Sequence, residues 1–110
     1  MSAQHRELSA GRWTKLAFFE QMANIGSEVE RALGWRRKNS PGYAQRAFER
    51  ALELLDLTLA CRGTSTQLRE LARVREALVD FFSGSNIYAS TEASWSAYFS
   101  AFAYAARRQH

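Results

Sequence analysis

Cysteine, proline and histidine are scarce in this 110-residue chain, which has one Cys, one Pro and two His. The lone Cys61 has no internal disulfide partner, which agrees with a reducing compartment and makes it a packing residue. The histidines, His5 and His110, stand at the two ends, outside any core the apolar pattern outlines. That placement rules out a Ser-His-Asp or Cys-His arrangement within the domain, removes the Glu-x-x-His pairs of a di-iron bundle and all but removes a zinc site. There is no glycine-rich phosphate loop, since the 6 glycines fall at helix ends or singly inside a helix. No apolar run approaches the roughly 18 residues of a membrane span. The expectation is a chain with no catalytic residue, no metal, no cofactor and no membrane contact.

What is present describes a folded domain. A composition 46% hydrophobic and 13% aromatic argues against disorder. At this length a chain buries about two-thirds of its unfolded surface, enough for one core without staples. The opening residues lack the apolar segment of a secretory signal, and Glu7 suits a mitochondrial presequence poorly, so a cytoplasmic address is expected. The net charge is +4, and only Lys15 and Lys38 of the basic residues are lysines. Arginine excess fits recognition of phosphate or carboxylate by planar forks, or the codon bias of a GC-rich genome. Acids and bases alternate through the middle of the chain, which favours the second explanation.

Four stretches carry helical periodicity, and no strand pattern competes. The first spans about Arg12 to Leu33 through Phe19, Met22, Ala23, Gly26, Val29 and Leu33, with Gly34 as its stop. Ser40-Pro41 opens the second, whose stripe is Ala44, Ala47, Phe48, Ala51, Leu55, Thr58 and Leu59. Gly63 closes it, and Thr64 with Gln67 forms a capping-box pattern for the third, which carries Leu68, Leu71, Ala72, Leu78, Val79 and Phe82. After the breaker Ser83-Gly84-Ser85-Asn86, Ser90 or Thr91 caps the fourth, lined by Trp95, Tyr98, Phe99, Phe102 and Ala106. The short connections predict an all-α, up-down-up-down four-helix bundle over residues 12–108, preceded by a mobile arm over 1–11.

Few side chains invite a chemical role. Glu49, Glu53 and Asp56 could be drawn as a divalent-cation cluster, but the 3.6-residue period sets them opposite Ala51 and Leu55, on a face that meets water. Arg69, Arg73, Glu76 and Asp80 read as ordinary surface pairs. Arg75 falls between Leu68, Leu71, Leu78 and Phe82, near the centre of an apolar stripe. An arginine there needs a carboxylate, helix-end carbonyls or an aromatic plane, and it either stands at the core edge, snorkelling or making one ion pair, or serves a ligand. Arg36, Arg37 and Lys38 follow Trp35 at the first corner, where they either neutralise a helix C-terminus or hold an anion.

The fourth helix is the unusual one, for no charged residue occurs from Ala93 to Ala106. Its aromatic stripe covers half of the circumference, which leaves Ala93, Ala97, Ser100, Ala101 and Tyr104 on the back. Soluble monomers normally charge such a face, so Ala97, Ala101 and Tyr104 are expected to meet another chain, in a homodimer or higher homo-oligomer or with a protein partner. Cover from within, by the N-terminal arm or the 83–91 loop, is the competing expectation.

Four stretches, FFEQMANIGSEVERAL, AFERALELLDLT, REALVDFF and SWSAYFSAFAYAAR, together with their connections, make the chain from Phe18 to Arg107 resemble a family of small uncharacterised bacterial all-helical proteins. In architecture it also resembles HEPN-type bundles. That resemblance implies a dimerising four-helix protein of the kind found beside nucleotidyltransferases, some of which cleave RNA. HEPN ribonucleases carry an Arg followed four to six residues later by His near the last helix, and this chain has no histidine between His5 and His110. The resemblance therefore implies a non-enzymatic module or a nucleic-acid-acting relative without that motif.

Overall fold

A computed structural model describes residues 11–61 and 63–108, so the arm expected over 1–11 lies, except for Gly11, outside the described residues. Among the described residues the structure is helical with no strand. A helical stretch over 11–13 is followed by α1 (Phe18–Arg37), α2 (Pro41–Cys61), α3 (Ser65–Ser83) and α4 (Glu92–Arg108).

The first expected helix is two pieces. The chain turns over 14–16 and is extended at Ala17 (φ −66°, ψ 156°), whose N–H donates to the Glu20 carboxylate at 3.1 Å. A glutamate three residues into a helix satisfies an otherwise orphaned donor, which fixes the start at Phe18. The far end also differs from expectation, because α1 runs through Gly34 to Arg37. Asn39 makes the stop with φ 57°, a conformation its short amide side chain tolerates, while Lys38, Asn39 and Ser40 donate backbone N–H groups to the last carbonyls.

Helix α1 is the centre of the arrangement, packed against α2 on one side and α4 on the other, while α3 leans on α2 over a narrower seam. Met22, Ile25, Val29, Ala32, Leu33, Ala51, Leu55, Leu71 and Leu78 are sealed from solvent. Phe48 of α2 stacks on Phe82 of α3 at 4.8 Å between ring centroids. Tyr98 of α4 donates its hydroxyl to Glu70 of α3 at 2.6 Å. Where α1 meets α4, Gly26 lies against Phe99 so closely that a Cβ built on Gly26 falls 2.6 Å from the Phe99 Cβ. No other residue fits there without moving a backbone.

The segment before α1 is fastened by a polar cluster at the core edge. Trp13 donates its indole N–H to the Thr58 hydroxyl at 2.8 Å, and Thr58 donates to the Leu54 carbonyl at 2.8 Å. The Gln21 amide donates to the Trp13 carbonyl at 2.9 Å and to the Cys61 sulfur at 3.4 Å. Gln21 and Thr58 are fully buried, which is tolerable because these bonds replace water.

Candidate interaction face on helix α4

Thr91 opens α4 with reciprocal bonds, its N–H donating to Ser94 Oγ at 2.9 Å and its Oγ1 accepting from the Ser94 N–H at 3.0 Å. From there the helical period divides the side chains. Trp95 and Phe99 are buried and parallel, 6.0 Å apart. Phe102 meets Phe18 edge-on at 6.0 Å, and Tyr98 packs on Phe99 at 5.0 Å. Burial, and then the hydrogen bond to Glu70, raise the Tyr98 phenol well above the ordinary tyrosine range. The indole N–H of Trp95 is buried without a hydrogen-bond partner.

Among the described residues the opposite side of α4 is open, and the N-terminal arm, one of the two covers expected from within the chain, lies outside them. Ala93, Ala97, Ser100, Ala101 and Tyr104 are all exposed, Tyr104 at 56%. Arg108 lies over Tyr104, its guanidinium 5.7 Å from the ring centroid and Nη1 donating to the hydroxyl at 3.2 Å. Alongside runs a groove of about 300 Å³ between α1 and α4, floored by Gly26 and Phe99 and edged by Ser27, Glu30, Ser100 and Ala103. The 84–91 loop does not cover this face. The Asp80 carboxylate at the end of α3 accepts the N–H groups of Ile87 at 2.9 Å and Tyr88 at 3.0 Å, and Tyr88 donates to Glu76, which ties the loop to α3. Asn86 and Ala89 adopt positive φ (57° and 56°), and Ile87 is left 83% exposed.

The other residues singled out by pattern fare differently. Ala97, Ala101 and Tyr104 share one stripe. Arg36, Arg37 and Lys38 diverge: Arg36 lies 4.8 Å over the Phe81 ring, Arg37 pairs with Glu92 at 2.8 Å, and Lys38 lies 5.2 Å over Trp35. They do not converge on one anion. Arg75 is not at the middle of a buried stripe, because its side chain keeps 38% exposure and forks onto Asp56 of α2 at 2.8 and 3.3 Å. The buried residues of α3 are Leu71, Val74 and Leu78, and counting Val74 turns the stripe so that Arg75 lies about 70° from its centre. Asp56, expected among solvated acids, is the other half of that pair, which holds Arg75 protonated, first through the hydrogen bond. Ala72, assigned to the stripe, is exposed.

Pattern reading missed the Trp13–Thr58–Gln21–Cys61 cluster, although one signal of it was present in Thr58, a threonine at helical spacing inside the apolar stripe of α2. Among the described residues no group of three or more His, Cys, Asp or Glu side chains is placed to hold a metal ion, and no helix is long and apolar enough to cross a membrane. Comparison with protein-family models, curated proteins and solved structures gave no match.

Proposed function

We propose that the chain is a non-enzymatic, self-associating interaction module, an up-down-up-down four-helix bundle whose α4 back face meets a second copy. The observation that carries this reading is the uncovered side of α4, where Ala97, Ala101 and Tyr104 are exposed on a helix with no charge from Ala93 to Ala106. Small side chains permit close helix approach, and a two-fold axis needs only one self-complementary patch. The test is the mass in solution at tens of micromolar. A dimer or larger species is expected, and Ala97→Glu or Ala101→Glu should give a smaller species with its helicity kept, because each puts a charge where no water reaches. A wild-type monomer overturns the reading.

One observation favours a second reading, a nucleic-acid-acting bundle of HEPN-like architecture lacking the Arg-x4-6-His motif. Trp35 and Tyr43 stack at 4.7 Å, with Lys38 over the first ring and Arg46 4.6 Å from the centre of the second. Stacked rings among cations are how single strands are held without sequence readout. Retention on a polyanion column that falls steeply with salt supports it, and passage with the void volume at low salt defeats it.

A further inference from the structure

The groove beside α4 combines an apolar floor, Gly26 and Phe99, with an acidic edge, Glu30. Resting on the self-association reading, we propose that the Tyr104–Arg108 pair of each copy seats in the α1–α4 groove of the other, with Glu30 as the counter-charge.

Register is the first argument. A two-fold axis between Ser100 and Ala101, with the two α4 helices antiparallel, brings Tyr104 of one copy opposite Ala97 of the other, because the two positions are equidistant from that axis. The largest side chain of the stripe then faces one of its smallest, in both directions at once. Position along α1 is the second. Phe18 meets Phe102, Gly26 meets Phe99 and Arg37 meets Glu92, so α1 and α4 run antiparallel and Glu30 lies between the last two levels, beside the turn that carries Ala97. Ala97 itself does not line the groove, so a ring at its level reaches Glu30 by leaning across the Ser100 edge.

Charge is the third. Glu30 is exposed on the groove edge and makes no ion pair among the described residues. Arg108 has its guanidinium on the Tyr104 hydroxyl at 3.2 Å, so ring and cation travel together. Seated in the groove, Tyr104 donates its hydroxyl proton to the Glu30 carboxylate and Arg108 supplies the opposite charge, while Gly26 and Phe99 form an apolar floor. A two-fold assembly makes this contact twice.

Charge reversal on the full-length protein, read by sedimentation velocity across a concentration series, tests the proposal. Glu30→Arg and Arg108→Glu should each weaken dimerisation about tenfold or more, and the two combined should restore it to within about threefold of wild type. Both positions are exposed, and a far-UV spectrum verifies that helicity is kept. If the wild type dimerises and Ala101→Glu abolishes the dimer while neither reversal matters, or if the combined variant is weaker than both singles, the groove contact is overturned and α4 self-association stands. A wild-type monomer overturns both.

Discussion

Helices α1 and α3 are nearly equal in length, 20 and 19 residues, yet α1 buries Gln21, Met22, Ile25, Gly26, Val29, Ala32 and Leu33 where α3 buries Leu71, Val74 and Leu78. The first is clasped between two neighbours, whereas the second has its main seam with α2 and meets α4 and α1 through single side-chain contacts, Tyr98 on Glu70 and Arg36 on Phe81. A helix amphipathic enough to form is thus not equally committed to the core. What separates them is how much of the circumference finds a partner, and the stability resting on each should differ accordingly.

Truncation in each helix is the strongest way to break that comparison. Met22→Ala should cost about 2–5 kcal/mol in urea unfolding, whereas Val74→Ala, which removes less and sits where the seam can close, should cost about 1–2. Equal costs would mean that α3 is as central as α1. Overpacking comes next, since Gly26→Ala should cost about 1–3 kcal/mol by forcing Phe99 outward, even though alanine is the better helix former.

The bond joining α3 to α4 sharpens the contrast through pH. The Tyr98 phenol titrates above its unfolded value of about 10, so the folded state holds its proton more tightly than the unfolded chain. That contribution is complete below about pH 10 and is lost as pH climbs through the raised value. Unfolding free energy measured from pH 9 upward should fall less steeply in Tyr98→Phe than in the wild type. The smallest effect is expected at the α2–α3 seam. The Arg75–Asp56 pair is 38% and 56% exposed, so Arg75→Ala should cost less than about 1 kcal/mol, although still more than Arg73→Ala, which breaks no such fork.

Helix existence was legible, and so were the breaks, expected near 34–40, 62–65 and 83–91 and found among the described residues at 38–40, 63–64 and 84–91, because each rests on local chemistry: Pro41 starting α2, Thr64 accepting the Gln67 N–H at 3.3 Å, and Thr91 paired with Ser94. The aromatic stripe of α4 was legible too, through its strict period. Gly34 misled because a glycine is a stop only when the chain needs positive φ, and the turn is carried by Asn39 instead. For Arg75 the expected core-edge ion pair is what Asp56 supplies, while its place at the centre of the stripe failed because a stripe without Val74 points the wrong way by less than one residue's rotation. The Trp13 to Thr58 bond spans 45 residues, and Trp13, although inside the first expected helix, is not one of the positions that make its apolar stripe, so the local pattern does not announce the contact. On the candidate face, the stripe of Ala97, Ala101 and Tyr104 followed from the period of one helix. The groove and Glu30 belong to two helices at once, and which turn of α1 stands beside which turn of α4 is a tertiary fact.

Gly26 has a consequence for where α4 stands. Two packed rods come no nearer than the side chains between them allow, and here the spacing is set by a missing side chain against Phe99. Towards one end of the pair the rings of Phe18, Phe19 and Phe102 fill the space, and towards the other the long reach from Arg37 to Glu92 spans it. The bulk of side chains thus grades outward from a point of none, and a methyl added there would push the two helices apart. The nearness of α4 to α1, and with it the floor of the groove beside them, is set by an atom that is not there.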